Sequence, residues 1–139
     1  MNTTTPIQNP SYPATVGRVM LSLLFLAAGF GKLAAPAATK GYIASVGLPA
    51  PDLAYLIAVV VEVGFGLALL VGFRTRIVAA VLAAFSLVTA VVFHNHFADQ
   101  NQMIHFLKNL AIAGGLIQLA AASQSAVGID RFLARRQAA

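Results

Sequence analysis

Four long apolar blocks, 16–35, 53–73, 77–93 and 103–122, constrain this chain more than any other feature of its sequence. A helix rising 1.5 Å per residue needs about 20 residues to cross a hydrocarbon core of roughly 30 Å, and each block comes near that length. The blocks are continuous runs of Ala, Leu, Val and Gly rather than ten-residue segments of alternating polarity, the pattern a transmembrane barrel requires. Only 9% of the 139 residues are charged and 59% are hydrophobic, so a polar surface cannot cover the whole molecule. The expected fold is all-α, an integral membrane four-helix bundle running up-down-up-down. One domain over 16–122 is expected between a flexible tail, 1–15, and a basic cytoplasmic tail, 123–139.

Connections set the expected topology. The FRTR link from Phe73 to Arg76 is so short that the second and third spans must be antiparallel neighbours. The stretch AAPAATKGYIASVGLPAPD, from Ala34 to Asp52, predicts a short interfacial helix at the outer surface. Pro36 suits a first turn there, Tyr42, Ile43 and Val46 give an apolar side, and Gly47, Pro49 and Pro51 end it. Arg18, Arg74, Arg76, Arg131, Arg135 and Arg136 lie at one set of span ends, whereas the opposite connections hold only Lys40. The positive-inside bias therefore predicts both termini in the cytoplasm.

The net charge of +5 does not indicate a nucleic-acid partner, because the nine basic residues are scattered over a chain with no soluble basic domain. The segment MNTTTPIQNPSYPATVG has no basic side chain and is too long for the n-region of a signal peptide, so the first block is read as a retained helix. No cysteine is present, which assigns any dithiol chemistry or thiolate metal site to a partner. The GIDRFLARR segment reads first as an ordinary positive-inside tail, with a short amphipathic segment whose arginines meet anionic lipid headgroups as the alternative.

Within the spans the candidate functional groups are few. Glu62 falls at mid-membrane, where a charge costs roughly 2.5–3.5 kcal/mol on insertion scales and demands a partner or a proton. Lys32, Lys108 and the histidines fall toward the outer side and are candidate partners. Helical spacing aligns Arg18, Ser22, Phe25, Gly29 and Lys32 on one stripe, and Ser86, Thr89, Phe93 and His96 on another. Lys108, Ala111, Gly115 and Gln118 form a third, expected to face inward. Two readings remain: a ligand pocket in the outer half, or a polar network that only holds helices together.

The stretch VVFHNHFADQNQMIHFLKNL holds all three histidines. A zinc site would need His94, His96 and His105, with Asp99 as a fourth ligand, but His-x-His on a helix separates the rings by about 200°. A haem between His94 and His105 would be crowded by four small helices and a cluster of cations. An imidazole near pKa 6.5 beside a buried carboxylate suits proton exchange better, and His94, at the end of a span, is the candidate. No metal site is expected.

Several short motifs, taken together, are similar to those of the DoxX family of small bacterial membrane proteins. They are Gly17 with Arg18, GFGKL around Lys32, EVGFGL from Glu62, GFRTR ending at Arg76, Phe93 with His94, and FLKNLAIAGG from Phe106 to Gly115. The resemblance implies a four-helix protein of the bacterial inner membrane, linked to quinones, thiol redox or oxidative stress. It points to Arg18, Lys32, Glu62, His94, Lys108 and Asn109, of which Asn109 comes from the motif alone.

The expected function is a membrane subunit binding a quinone or similar redox ligand and working with a partner oxidoreductase. Glu62 and His94 are the candidate catalytic residues, with Arg18, Lys32, Lys108 and Asn109 as candidate ligand-binding residues. No intrinsic cofactor is expected, and lipid surrounds the spans. A non-enzymatic scaffold or assembly protein is the alternative, and a small proton-linked transporter, which would require a dimer, is a further one. The Ala- and Gly-rich helix faces permit a homodimer.

Overall fold

The structure is a computed structural model and describes residues 11–122 and 126–137. Among these residues it is all-helical, with four helices long and apolar enough to span a membrane. We label the helices α1 (Tyr12–Ala34), α2 (Pro36–Ser45), α3 (Pro51–Val71), α4 (Thr75–Phe93), α5 (Gln100–Ala121) and α6 (Ile129–Gln137). The spans are α1, α3, α4 and α5. Of the expected tails, 1–10, 123–125 and 138–139 lie outside the described residues.

Local chemistry sets the helix ends. Ser11 caps α1, its Oγ accepting from the Ala14 N–H at 3.3 Å, and Pro13 follows in the first turn, so α1 starts four residues before the apolar block does. Proline again opens α2 and α3. Asp99 caps α5, its carboxylate accepting from the N–H groups of Asn101 at 2.8 Å and Gln102 at 3.3 Å. Gly72 ends α3 at φ 71°, and the Phe73 N–H reaches back to the Ala68 carbonyl at 2.9 Å. The cap of α4 comes from elsewhere: the Asp130 carboxylate accepts from the N–H groups of both Arg74 and Thr75 at 2.7 Å.

Packing joins α1 to α3 and α4 to α5 along their lengths, with a looser seam between α1 and α5. Phe25, Leu69, Leu82, Ala83, Ala113 and Leu116 form the core. Most other large apolar side chains point outward, as lipid-facing spans require. The short helix α2 lies over the end where α1 gives way to α3. The Tyr42 ring stacks on Phe93 with centroids 5.7 Å apart, and Ile43 is buried. Lys40 pairs with Asp52 at 2.6 Å, and this hydrogen bond holds the lysine pKa above its ordinary value.

One feature of α3 departs from a plain helix: Val60–Phe65 is π-helical, and Glu62 lies within it. A π turn contains an extra residue and re-phases the helix faces on either side. Against this turn packs Gly29, where a Cβ would meet Val63 Cγ2 at 2.6 Å, Glu62 Cβ at 3.1 Å and the Val63 backbone nitrogen at 3.2 Å. Gly31, two residues on, has nothing within 4 Å of such a Cβ. Gly29→Ala is therefore expected to cost about 1–3 kcal/mol by overpacking, whereas Gly31→Ala costs nothing. Unfolding of both variants in mixed micelles against wild type measures the difference.

Candidate functional site

The site begins with the approach that Gly29 permits. With α1 and the π turn in contact, Lys32, one turn beyond Gly29, reaches Glu62. Its Nζ stands 2.8 Å from both carboxylate oxygens and donates a hydrogen bond to Oε1. Glu62 is 6% exposed, and its Oε2, itself buried, is covered by no hydrogen bond but lies against the Lys32 ammonium. The Lys32 side chain is 28% exposed, so the ammonium keeps donors available toward open space. The last turn of α1 is held as well, since the Tyr55 hydroxyl donates to the Lys32 carbonyl at 3.3 Å.

The pair lies on the wall of a cavity of about 640 Å³, a size typical of small-molecule sites. Phe25, Ile43, Phe85 and Ile112 give it apolar sides, and Thr39, Tyr42, Ser86, Thr89, His94 and Asn109 add polar groups. Leu24, Ile57 and Val88 both line the cavity and are exposed on the outside of the spans, so the cavity opens toward lipid. His94 ends α4, and its Nδ1 lies 2.9 Å from Gln102 Oε1 while its ring stacks on His105 with centroids 5.0 Å apart. Asn109 Nδ2 donates to the His105 carbonyl at 3.1 Å, which anchors the amide one turn below the mouth.

Four of the six candidates, Lys32, Glu62, His94 and Asn109, thus line one cavity, and two lie elsewhere. Lys108 is exposed and not part of the cavity wall, which corrects the expectation that it faces inward. The packed stripe of α5 runs through Asn109, Ile112, Ala113, Leu116 and Leu119, and Lys108 sits about 100° around the helix from Asn109. Arg18 is buried at the opposite end of the bundle, far along α1 from Lys32, so it does not join that cluster. Its guanidinium donates to the carbonyls of Leu69 and Leu70, and at 2.6 Å to that of Val127.

His96 is exposed beyond the end of α4, and among the described residues no group of three His, Cys, Asp or Glu side chains is placed to hold a metal ion. The sequence did not single out Thr39 and Tyr42 as cavity residues. The only hint was the i, i+3 spacing of two polar side chains on α2.

The DoxX family profile matches residues 14–95, which take in α1 to α4 and the Lys32–Glu62 pair. The chain belongs to the DoxX family. Among curated proteins it is 40% identical over 121 residues to "Inner membrane protein YqjF" of Escherichia coli K12, covering 87% of this chain and 92% of that protein. It is 38% identical over 122 residues to "Inner membrane protein YphA" of the same organism, covering 84% of this chain and 86% of that protein. No solved structure matches.

Removing the ammonium leaves a carboxylate buried and unpaired. Lys32→Met is expected to lose about 3 kcal/mol of stability, the low end for breaking a buried pair because the lysine is partly exposed. The double variant Lys32→Met with Glu62→Leu should recover most of that loss. Unfolding in micelles of wild type and both variants tests the pair, and equal stability of the two variants would count against it.

Proposed function

We propose that this DoxX protein is an inner-membrane subunit that binds a quinone or a similar lipid-soluble redox ligand in the cavity between α1, α3, α4 and α5, and serves a partner oxidoreductase. The observation that carries the reading is the Lys32–Glu62 pair on the wall of an apolar cavity that opens toward lipid. An apolar cavity with a few convergent polar groups suits a planar ring with oxygen atoms at its edge. Entry from the bilayer favours a ligand dissolved in lipid over a polar metabolite.

The protein groups have distinct roles. Lys32 Nζ donates to a ligand oxygen, and Glu62 balances that charge and holds the ammonium in place. Asn109 and the Tyr42 hydroxyl supply further polar contacts across the cavity. His94, at the mouth and hydrogen-bonded to Gln102, exchanges protons with water. When bound, a quinone supplies two-electron redox chemistry, with electrons from a redox centre in the partner. The scaffold reading has its own support, because Lys32 and Glu62 satisfy each other within the chain.

Binding of a short-chain quinone to the purified protein decides between them. Glu62→Gln is expected to weaken binding roughly tenfold, the worth of one charge-assisted hydrogen bond. Lys108→Met, outside the cavity, should leave it unchanged. Wild-type affinity in Glu62→Gln and in Asn109→Ala together would remove the cavity from the reading and favour the scaffold.

The orientation we propose places both termini in the cytoplasm. All six arginines lie at the end of the bundle bearing the α3–α4 turn, while the three lysines lie toward the other end. A membrane-impermeant thiol reagent applied to the periplasmic face should label Ala98→Cys and spare Ala134→Cys; the reverse pattern inverts the topology.

A further inference from the structure

At the arginine end of the bundle lies the amphipathic helix α6. Two contacts fix it to the bundle. Gly72 and Gly128 meet so closely that a Cβ on either would lie 2.9 Å from the other's Cα. The Asp130 N–H donates to the Gly72 carbonyl at 2.9 Å while its carboxylate caps α4. Just before α6, Val127 is pinned on both sides, its carbonyl accepting from Arg18 and its N–H donating to Thr15 Oγ1 at 2.9 Å. The helix is therefore held at the level where α3 ends and α4 begins, which is where headgroups meet the spans.

Among the described residues, no other element covers the apolar face of this helix. Ile129, Phe132 and Leu133, spaced i, i+3 and i+4, are 41%, 57% and 45% exposed. Arg135 and Arg136 are exposed in its last turn, and the Arg136 guanidinium lies over the Phe132 ring at 4.7 Å. Arg74 and Arg76 are exposed on the neighbouring turn and first turn of α4. Against the six arginines of this end stands one acid, Asp130, already engaged by two backbone N–H groups. The other end is balanced, with Lys32, Lys40 and Lys108 against Asp52, Glu62 and Asp99.

We infer that α6 is a membrane-surface anchor whose occupant is an anionic lipid leaflet. Ile129, Phe132 and Leu133 enter the headgroup–acyl boundary, and Arg74, Arg76, Arg135 and Arg136 meet lipid phosphates around them. Apolar side chains at the membrane level, ringed by unneutralised arginine, fit an acidic lipid surface. Docking through Gly72, Gly128 and Asp130 presents this face already folded, so no ordering of a free tail opposes binding.

The chain has no cysteine, so a single Leu133→Cys carries an environment-sensitive fluorophore without interference. The full-length protein is placed in bilayers of phosphatidylcholine alone and of phosphatidylcholine with phosphatidylglycerol. The expected result is blue-shifted emission in the anionic bilayer, quenched by lipids brominated near the glycerol, and weakened by salt. Arg135→Glu with Arg136→Glu should reverse the shift, each arginine being worth roughly a fivefold change in partitioning. Retained micellar stability shows that this variant still folds.

Solvent-like emission in both bilayers overturns the anchor. A shift equal in both and indifferent to charge reversal overturns its anionic selectivity. A shift that grows with protein density assigns the face to a second copy instead.

Discussion

The hydrocarbon core accepts a charge only when the protein supplies its partner, and in this chain the Lys32–Glu62 ion pair is where that constraint is felt most. Its geometry explains features that otherwise look unrelated. Gly29 has to lack a side chain because α1 and the π turn at Val60–Phe65 approach until their backbones nearly touch. The π turn sets Glu62 against α1 rather than toward lipid, where the same carboxylate would be unsupported. Once α1 and α3 are locked together on this side, the groups beyond the pair do not close over it, and the space left is the cavity that α2 roofs with Thr39, Tyr42 and Ile43.

The opposite end solves a similar problem with different chemistry. Helices end with under-used carbonyls, and at the end of α3 the Arg18 guanidinium meets that of Leu70 and joins the Gly72 N–H on that of Leu69. That group is 4% exposed, and it also holds the Val127 carbonyl. One side chain thus ties the start of α1, the end of α3 and the segment leading into α6. Asp130 adds the complementary half, taking up the first N–H groups of α4. The turn between α3 and α4 is stapled from both sides by residues more than 50 positions away.

Some of this was legible in the sequence and some was not, for physical reasons. The four spans and the outer helix follow from run length and proline placement, both of which are local. Glu62 could be expected to seek a lysine, since a carboxylate at mid-span has few choices. The π turn left no trace, because VVEVGF reads as ordinary helix and its contact with Gly29 is between residues distant in sequence. Lys108 and Asn109 were hard to tell apart because the lipid-facing side of a span is as apolar as its core, so hydrophobic periodicity does not mark which face is inward. The partners of Arg18 are backbone carbonyls, which carry no sequence signature. Asp130 reaches back 56 positions to Arg74, beyond any local pattern.

The division of the two cation types between the ends has a physical rationale. Arginine presents a rigid fork of five donors that stays charged under all ordinary conditions, so it suits a fixed cluster of carbonyls and a lipid phosphate surface. Lysine is a point charge on a flexible stem, able to hold Glu62 with one proton while turning others toward whatever enters the cavity. Replacing Arg18 by lysine would put all donors on one nitrogen, where two separate guanidinium nitrogens now reach the three carbonyls. Replacing Lys32 by arginine would drive a planar group between α1 and the π turn, where Gly29 already lacks room for a methyl. The arginine end therefore suits fixed contacts, and the lysine end keeps a cation able to turn. That asymmetry agrees with the proposed reading of the cavity as a working site, because a turnable cation on a cavity wall serves a ligand better than it serves packing.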